Sequence, residues 1–253
     1  MEFDFSQFGW WALTIGAISF VLGGLVKGVI GLGLPMVAVP VLATFMDPKV
    51  AVALMSVPVL TSNVWIVGTS GRVRELFARH WTVLIPLVIF TFAGAQFFVK
   101  MDVGLASIMV GVGIVIVCLI QAFPIKTSVD PKHEVWLGPS VGAAAGFMGG
   151  MTNYLAPILI IYLMALRVPR DFFVFSMSLF FVFGSTPLFG SLATNHILDE
   201  NVLVISAVAT VFAVAGLQLG AVLRRRIPQA IFEKVLLAVL FLIGLNLIRR
   251  GVF

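Results

Sequence analysis

Long apolar runs without charged residues divide this sequence, and several exceed the ~18 residues that mark a transmembrane helix. Examples are Trp81 to Val99 and Val202 to Leu223. Apolar residues make up 60% of the positions and charged residues only 11%, against ~45–50% and ~25% in soluble domains. The runs are apolar on every face, whereas the strands of a membrane barrel alternate apolar and polar residues. The pattern predicts an all-α, polytopic membrane protein in a lipid bilayer.

The charged and sulfur-containing residues argue against several other classes. The net charge is +5, but the basic residues lie in short loops beside apolar spans, so membrane orientation explains them and no nucleic-acid partner is predicted. Cys118 is the single cysteine, and the three histidines have no metal-ligand spacing. Neither a disulfide, a metal site nor a cofactor is therefore predicted. The acidic start lacks the basic region of a secretory signal peptide, so the first apolar stretch is expected to be retained.

Two segments are too long to cross a membrane once. As single helices, residues 10–46 and 135–166 would measure ~55 Å and ~48 Å, against a hydrocarbon core of ~30 Å. Both contain helix breakers at mid-length, so both are predicted to break. These are Gly28, Gly31, Gly33 and Pro35 in the first segment, and Gly146, Gly149, Gly150 and Asn153 in the second. Six further segments have the length of ordinary spans, namely 50–70, 81–99, 103–123, 171–194, 202–223 and 229–248.

The broken segments also match each other, which indicates a duplicated chain. Gly24, Gly28 and Gly31 have the same spacing as Gly142, Gly146 and Gly149, and the Ala-Gly-Ala-Gln run at 93–96 parallels Ala-Gly-Leu-Gln at 215–218. Two repeats are predicted, 1–125 and 126–253, each with a broken or re-entrant hairpin followed by three spans. An odd number of crossings per repeat makes the second repeat inverted, a common plan of secondary transporters.

Loop charges predict how the chain is oriented, because cytoplasmic loops collect Lys and Arg. If every segment crosses once, the basic loop residues divide seven against seven; if 135–166 turns back, they divide ten against four. The second division favours the hairpin, in a bacterial inner membrane with both termini periplasmic. The side with ten is then cytoplasmic and holds Arg72, Arg74, Arg79, Lys126, Lys132, Arg167, Arg170, Arg224, Arg225 and Arg226, opposite Lys49, Lys100, Arg249 and Arg250.

Helix breaks within a membrane are candidate sites for a small anion. The helix that restarts after a break presents N–H groups and a partial positive charge. Two such ends, one from each repeat, predict an anion site near the midplane; the alternative is that the glycines only allow close helix packing. The candidate substrate-binding residues are Lys27, Gly31, Gly33, Pro35, Asn63, Gly149, Gly150, Thr152 and Asn153, with Gln96 and Gln218 as second choices.

Each polar candidate also has a simpler interpretation. Lys27 lies deep in an apolar segment, where a charge costs at least ~2.5–3.5 kcal/mol, so it either faces an anionic substrate or extends to an interface near the turn. Asn63, Gln96 and Gln218 can donate to an oxyanion, although for any one of them a hydrogen bond between helices is the stronger expectation. No buried carboxylate indicates a proton relay.

One short motif raises the alternative of an enzyme. Residues Gly68 to Gly71 match the GxSG of rhomboid-type intramembrane serine proteases, whose nucleophile needs a histidine base. His80 and His133 are expected in loops and His196 at the opposite side, so the base is missing. No catalytic residue is predicted, and a transport protein is favoured over an enzyme.

The run from Gly24 to Pro35, followed by Val39-Pro40-Val41-Leu42, resembles the glycine-rich signature of the sulfite exporter TauE/SafE family. Gly146 to Gly150, followed by Pro157-Ile158-Leu159, is similar to its repeat. The family's Gly-Gly-Gly is interrupted here by Leu32 and Leu34, and residues 151–153 are Met, Thr and Asn where glycines are common. The resemblance implies a transporter of sulfur oxyanions or organosulfonates, in export or uptake, with a passive anion channel as the alternative. A homo-oligomer is compatible with the sequence.

Overall fold

The computed structural model describes residues 10–30, 33–122, 131–223 and 229–253, and the regular elements within these ranges are all helical. A short 3-10 turn, Pro131–His133, precedes the second half. The α-helices are α1 Trp10–Ile30, α2 Leu34–Ala43, α3 Pro48–Ala53, α4 Ser56–Thr69, α5 Val73–Lys100, α6 Val103–Ala122, α7 Glu134–Thr152, α8 Ala156–Ala165, α9 Arg170–Thr194, α10 Glu200–Leu223 and α11 Gln229–Val252.

Six elements are long and apolar enough to cross a membrane. They are α3 with α4, α5, α6, α9, α10 and the Phe232–Val252 part of α11. Each coincides with a predicted span, so the prediction of an all-helical, multi-pass membrane protein is confirmed. Many large apolar side chains point outward, including Trp65 and Leu242, as expected for a surface that contacts lipid tails rather than water.

The first long segment breaks at Gly33. Gly33 has a φ of 113°, a conformation that glycine adopts without steric cost, and Pro35 follows in the first turn of α2, where its missing N–H is tolerated. A Cβ placed on Gly23 would lie 3.4 Å from the Cβ of Ala38. In one straight helix these positions would be ~22 Å apart. Helices α1 and α2 therefore form a hairpin, which we call the first hairpin.

The second long segment breaks at Asn153. Its φ of 60° is left-handed, which asparagine tolerates, and its N–H donates to the Gly149 carbonyl at 2.7 Å. Pro157 then occupies the first turn of α8. Tyr162, near the end of α8, lies within electrostatic range of Glu134, the first residue of α7. Helices α7 and α8 therefore form the second hairpin, which starts and finishes at one end of the bundle.

The two hairpins enter from opposite ends of the bundle. At one end, the Arg79 end, an ion pair with an Arg79 Nε to Glu134 Oε1 distance of 3.1 Å joins the starts of α5 and α7. At the other, the Lys49 end, Lys49 Nζ donates to the Val99 carbonyl at 3.0 Å, which joins the start of α3 to the end of α5. Arg250, at the end of α11, donates to the Thr44 carbonyl just after α2. The first hairpin therefore opens at the Lys49 end and the second at the Arg79 end.

Close glycine contacts hold the two halves of the chain together. The most extensive helix contacts are α1 with α10, α5 with α7 and α6 with α11, and each joins the first half to the second. A Cβ on Gly24 or Gly28 would overlap the backbone of α10, and one on Gly142 or Gly146 would overlap that of α5. These four matched glycines thus serve close packing, as small residues commonly do between membrane helices.

The expected loop position of His80 is wrong. Helix α5 begins at Val73 instead of near residue 81, and His80 lies inside it with 0% exposure. The polar start of α5 remains helical because its side chains find partners on other helices. Arg79 pairs with Glu134, and His80 Nε2 lies 2.8 Å from the Ser176 hydroxyl on α9.

Candidate functional site

A partly open cavity of about 370 Å³ lies between the first hairpin, α4 and α9; we call it the main cavity. Its walls combine apolar side chains with a small number of polar groups, as is typical of ligand sites. The break at Gly33 to Pro35 forms one side. The polar residues in its wall are Lys27 from α1, Asn63 from α4, and Arg170 and Ser178 from α9.

Lys27 lies in the last turn of α1, half-buried beside the break. Its Nζ donates to the Ser62 hydroxyl at 2.9 Å, and Ser62 in turn donates to the Pro58 carbonyl at 2.6 Å. Within the described ranges, no carboxylate lies within 4.0 Å of Lys27. A serine hydroxyl positions the ammonium but does not neutralise it, so the cavity retains a positive charge.

Arg170 supplies a second cation that sequence reasoning missed. It is the first residue of α9, is exposed, and makes no ion pair with a carboxylate of the described part of the chain. In sequence it is one of several loop arginines. Only the position of α9, which packs on α4 and faces the first hairpin across the main cavity, distinguishes it, and the same holds for Ser178. The mouth of the main cavity thus has a guanidinium, which suits oxyanion geometry.

The start of α2 and the amide of Asn63 complete the polar side of the main cavity. Gly33, the N-cap of α2, has no side chain to bond the first N–H groups of the helix, and no other side chain in the described ranges caps them. Asn63 is buried, and its Nδ2 donates to the Val59 carbonyl at 2.7 Å, which uses one of its two amide hydrogens. Both groups are donors, as an anion requires.

Asn153 lies in a different and smaller cavity of about 60 Å³, the minor cavity, between α1, α2, α6 and the second break. The two cavities are adjacent, since Ile30, Gly33, Pro35 and Phe181 belong to the walls of both. The structure therefore does not bring Lys27 and Asn153 into one chamber. The first break borders both cavities, whereas the second break borders only the minor cavity.

The remaining predicted site residues lie outside both walls. Gly149 packs on the Leu155 side chain, and a Cβ on Gly150 would overlap the Thr91 carbonyl. The Thr152 hydroxyl donates to the Met148 carbonyl at 2.8 Å and accepts from the Tyr154 N–H at 3.3 Å, which shapes the break. The other three differ in placement: Gln96 Nε2 donates to the Ser191 hydroxyl on α9 at 3.3 Å, Gln218 is exposed, and Gly31 falls outside the described residues.

The serine-protease motif does not form a site with the buried histidine. The Ser70 hydroxyl donates to the Val67 carbonyl at 2.7 Å, at the end of α4. His80 is hydrogen-bonded to Ser176 instead. A serine nucleophile needs its base within hydrogen-bond reach, so the geometry offers Ser70 no support as a nucleophile.

Comparison with protein families gives one finding that covers almost the whole molecule. Residues 15–247 match the family model described as sulfite exporter TauE/SafE. The chain belongs to this family. Membership implies a membrane transporter of sulfur anions. Comparisons with curated proteins and with solved structures give no match.

The glycine-rich signature of this TauE/SafE member has two structural roles. Gly24 and Gly28 allow α1 to touch α10, whereas Lys27, Gly33 and Pro35 lie in the wall of the main cavity. Close packing is therefore the role of Gly24 and Gly28, whereas anion binding at Gly33 stays a prediction. One face of α1 packs on α10, and another face of the same helix borders the main cavity.

Proposed function

We propose that this protein is a secondary transporter that binds a sulfur oxyanion or organosulfonate in the main cavity. The observation that carries the proposal is the ammonium of Lys27, which lies in the cavity wall without a carboxylate partner among the described residues. A charge within a membrane is costly unless it is compensated, and a bound anion compensates it. The uncapped start of α2 and Arg170 add to the attraction.

The walls of the main cavity favour an anion that carries a carbon chain. Beside the polar groups lie Phe173, Val174 and Met177 of α9, together with Val59 and Ile66 of α4. Sulfite would leave much of this surface uncovered, whereas a short organosulfonate can place its head at Lys27 and its chain against the apolar wall. Apolar contact adds ~0.8 kcal/mol for each buried methylene, so affinity should rise with chain length until the cavity is filled.

An inverted repeat with alternating access is the mechanism we propose for movement of the anion. Helices α1, α6 and α10 start at the Lys49 end, whereas α5, α7 and α11 start at the Arg79 end. Counterparts such as α1 and α7 therefore run in opposite directions. Rocking of packed helices around a fixed site is how transporters of this plan expose it to each side in turn.

The distribution of charge supports the proposed orientation in a bacterial-type inner membrane. Arg72, Arg74, Arg79, Lys132, Arg167 and Arg170 lie toward the Arg79 end, whereas Lys49, Lys100, Arg249 and Arg250 lie toward the Lys49 end. The other four basic residues assigned to the first group, Lys126 and 224–226, lie outside the described ranges. Cytoplasmic sides are rich in Lys and Arg, so we assign the Arg79 end to the cytoplasm and both chain ends to the periplasm.

The test is uptake of labelled sulfite and of a short alkylsulfonate into proteoliposomes, with and without an imposed proton gradient. We expect saturable uptake of both, with the alkylsulfonate bound more tightly. Flux that only follows the anion's own gradient would favour a passive channel. If folded protein moves neither anion while a matched set of liposomes remains tight, the proposal is wrong.

A further inference from the structure

The minor cavity contains two buried polar groups without hydrogen-bond partners. Asn153 is 1% exposed and Tyr154 is 2% exposed, and both belong to the cavity wall. Neither Asn153 Nδ2 nor the Tyr154 hydroxyl has a partner in the part of the protein that the structure describes, although Asn153 Oδ1 accepts from the Ser185 hydroxyl at 3.1 Å. An unsatisfied buried donor costs free energy, which an acceptor entering this cavity would recover.

A helix start lies in the same wall. Helix α8 has ten residues and begins at Ala156, and both Ala156 and Pro157 border the minor cavity. Its N-cap, Leu155, forms no side-chain hydrogen bond to the first turn. The free N–H groups there carry the partial positive charge of a helix N-terminus. Three kinds of donor thus belong to residues in the wall of one small space, although Asn153 Nδ2 and the Tyr154 hydroxyl are themselves covered in this conformation, and none of the described residues in that wall is charged.

We propose that Asn153, Tyr154 and the start of α8 form a second anion position, which receives the oxyanion group after it leaves Lys27. This inference rests on the proposed transport function. The position forms fully when Phe181 and the break at Gly33 to Pro35, which both cavities share, move apart. At about 60 Å³ the space suits a compact oxyanion, whereas an extended alkyl chain does not fit.

The two positions have different kinds of donor and therefore different affinities for the oxyanion. A cation adds a net Coulomb attraction to its hydrogen bond with an anion, and neutral donors do not, so the second position binds the oxyanion more weakly than Lys27 does. An anion that moves from a cation to neutral donors is easier to release. The second position is therefore a relay on the way out of the protein.

The experiment counts bound sulfite on the purified full-length protein by equilibrium dialysis with labelled sulfite. Hexanesulfonate is the competitor, because its chain fits the main cavity only. We expect two sulfite ions per chain, of which hexanesulfonate displaces one. In Tyr154→Phe the ion that resists displacement should bind about 5- to 10-fold more weakly, and in Asn153→Asp it should be lost, since a carboxylate repels it while tolerating the left-handed backbone.

Tyr162→Phe is the matched control. Tyr162 is also buried with an unpartnered hydroxyl, but it borders neither cavity, so both sulfite ions should remain. One sulfite per chain in the unmodified protein, or equal binding by Tyr154→Phe and Tyr162→Phe, would overturn the second position and leave a cavity for water only. Failure of the transport proposal has a different signature, because the unmodified protein would then move no sulfite into proteoliposomes, whatever number of sulfite ions it binds.

Discussion

The two hairpins share a backbone plan but differ in chemistry. Each pairs a long helix with a ten-residue helix, breaks at a left-handed residue and restarts with proline in its first turn. The first hairpin presents Lys27 to the main cavity, whereas Ala145 is the counterpart of Lys27 in the second and is 0% exposed. The second hairpin presents only neutral donors. A repeated scaffold can thus hold one charged and one neutral position for the same kind of ligand.

The hairpins also differ in how they are fixed. The second is tied at its opening by the bidentate pair between Arg79 and Glu134, with Nη2 to Oε2 at 3.2 Å and Nε to Oε1 at 3.1 Å. No such ion pair joins the described part of the first hairpin to its neighbours. We infer that the first hairpin, which contributes Lys27 to the proposed anion site, is the more mobile of the two.

The largest expected effect concerns the opposite entry of the two hairpins. An engineered cysteine reacts with an impermeant reagent from one side of the membrane only, so the result is all or none. In a Cys118→Ala background, Lys132→Cys and Arg167→Cys should react with a membrane-impermeant maleimide from the cytoplasmic side. Lys100→Cys should react from the periplasmic side only, since it lies at the Lys49 end. Cells and inverted vesicles labelled in parallel make the measurement. Reaction of Lys132→Cys and Arg167→Cys from different sides would remove the second hairpin.

Removal of the Lys27 cation should weaken transport strongly. Lys27→Met deletes a charged hydrogen-bond donor while keeping most of the side-chain volume, so sulfite affinity should fall by about 10- to 150-fold, equivalent to ~1.5–3 kcal/mol. Concentration-dependent uptake into proteoliposomes measures the change. Lys100→Met is the control, because it removes a lysine far from the main cavity. Equal kinetics of the two variants would mean that Lys27 does not contact substrate.

Packing glycines should behave alike in both hairpins. A Cβ on Gly24 would overlap the Ala213 carbonyl, and a Cβ on Gly142 would overlap the Val83 carbonyl. Both Gly24→Ala and Gly142→Ala should lower the free energy of unfolding by ~1–3 kcal/mol, measured as thermal unfolding in detergent. Gly190→Ala has open space around it and should be neutral or stabilising. If only one of these two alanine substitutions lowered stability, the two hairpins would share a backbone shape but not the same close packing.

The ion pair at the second hairpin should have the smallest effect. Glu134→Gln keeps the shape but removes the charge that Arg79 faces, so hydrogen exchange near the starts of α7 and α5 should quicken by a few-fold, reflecting ~1 kcal/mol. Glu75→Gln is the control, since the Arg72 to Glu75 contact is 4.0 Å long and exposed. If hydrogen exchange in Glu134→Gln is no faster than in Glu75→Gln, the ion pair between Arg79 and Glu134 is not what distinguishes the hairpins.

The spans and the breaks could be predicted because apolar length and helix-breaking residues are local properties. The residues that line each cavity could not be predicted, because they depend on which helices meet. Arg170 borders the main cavity only because α9 packs on α4 and faces the first hairpin, and Asn153 is separated from Lys27 by the shared wall at Phe181. The burial of His80 is a further example, since its partner Ser176 is 96 positions away.

The glycine contacts between α1 and α10 bear on how the chain is made. Helix α1 is synthesised long before α10, which begins at Glu200 and covers the glycine face of α1. Contacts of such long sequence separation form slowly, so tertiary assembly should follow synthesis instead of accompanying it. Neither half has a complete interior of its own. Two separately synthesised halves divided within 123–130 should therefore be inert alone and recover activity when expressed together.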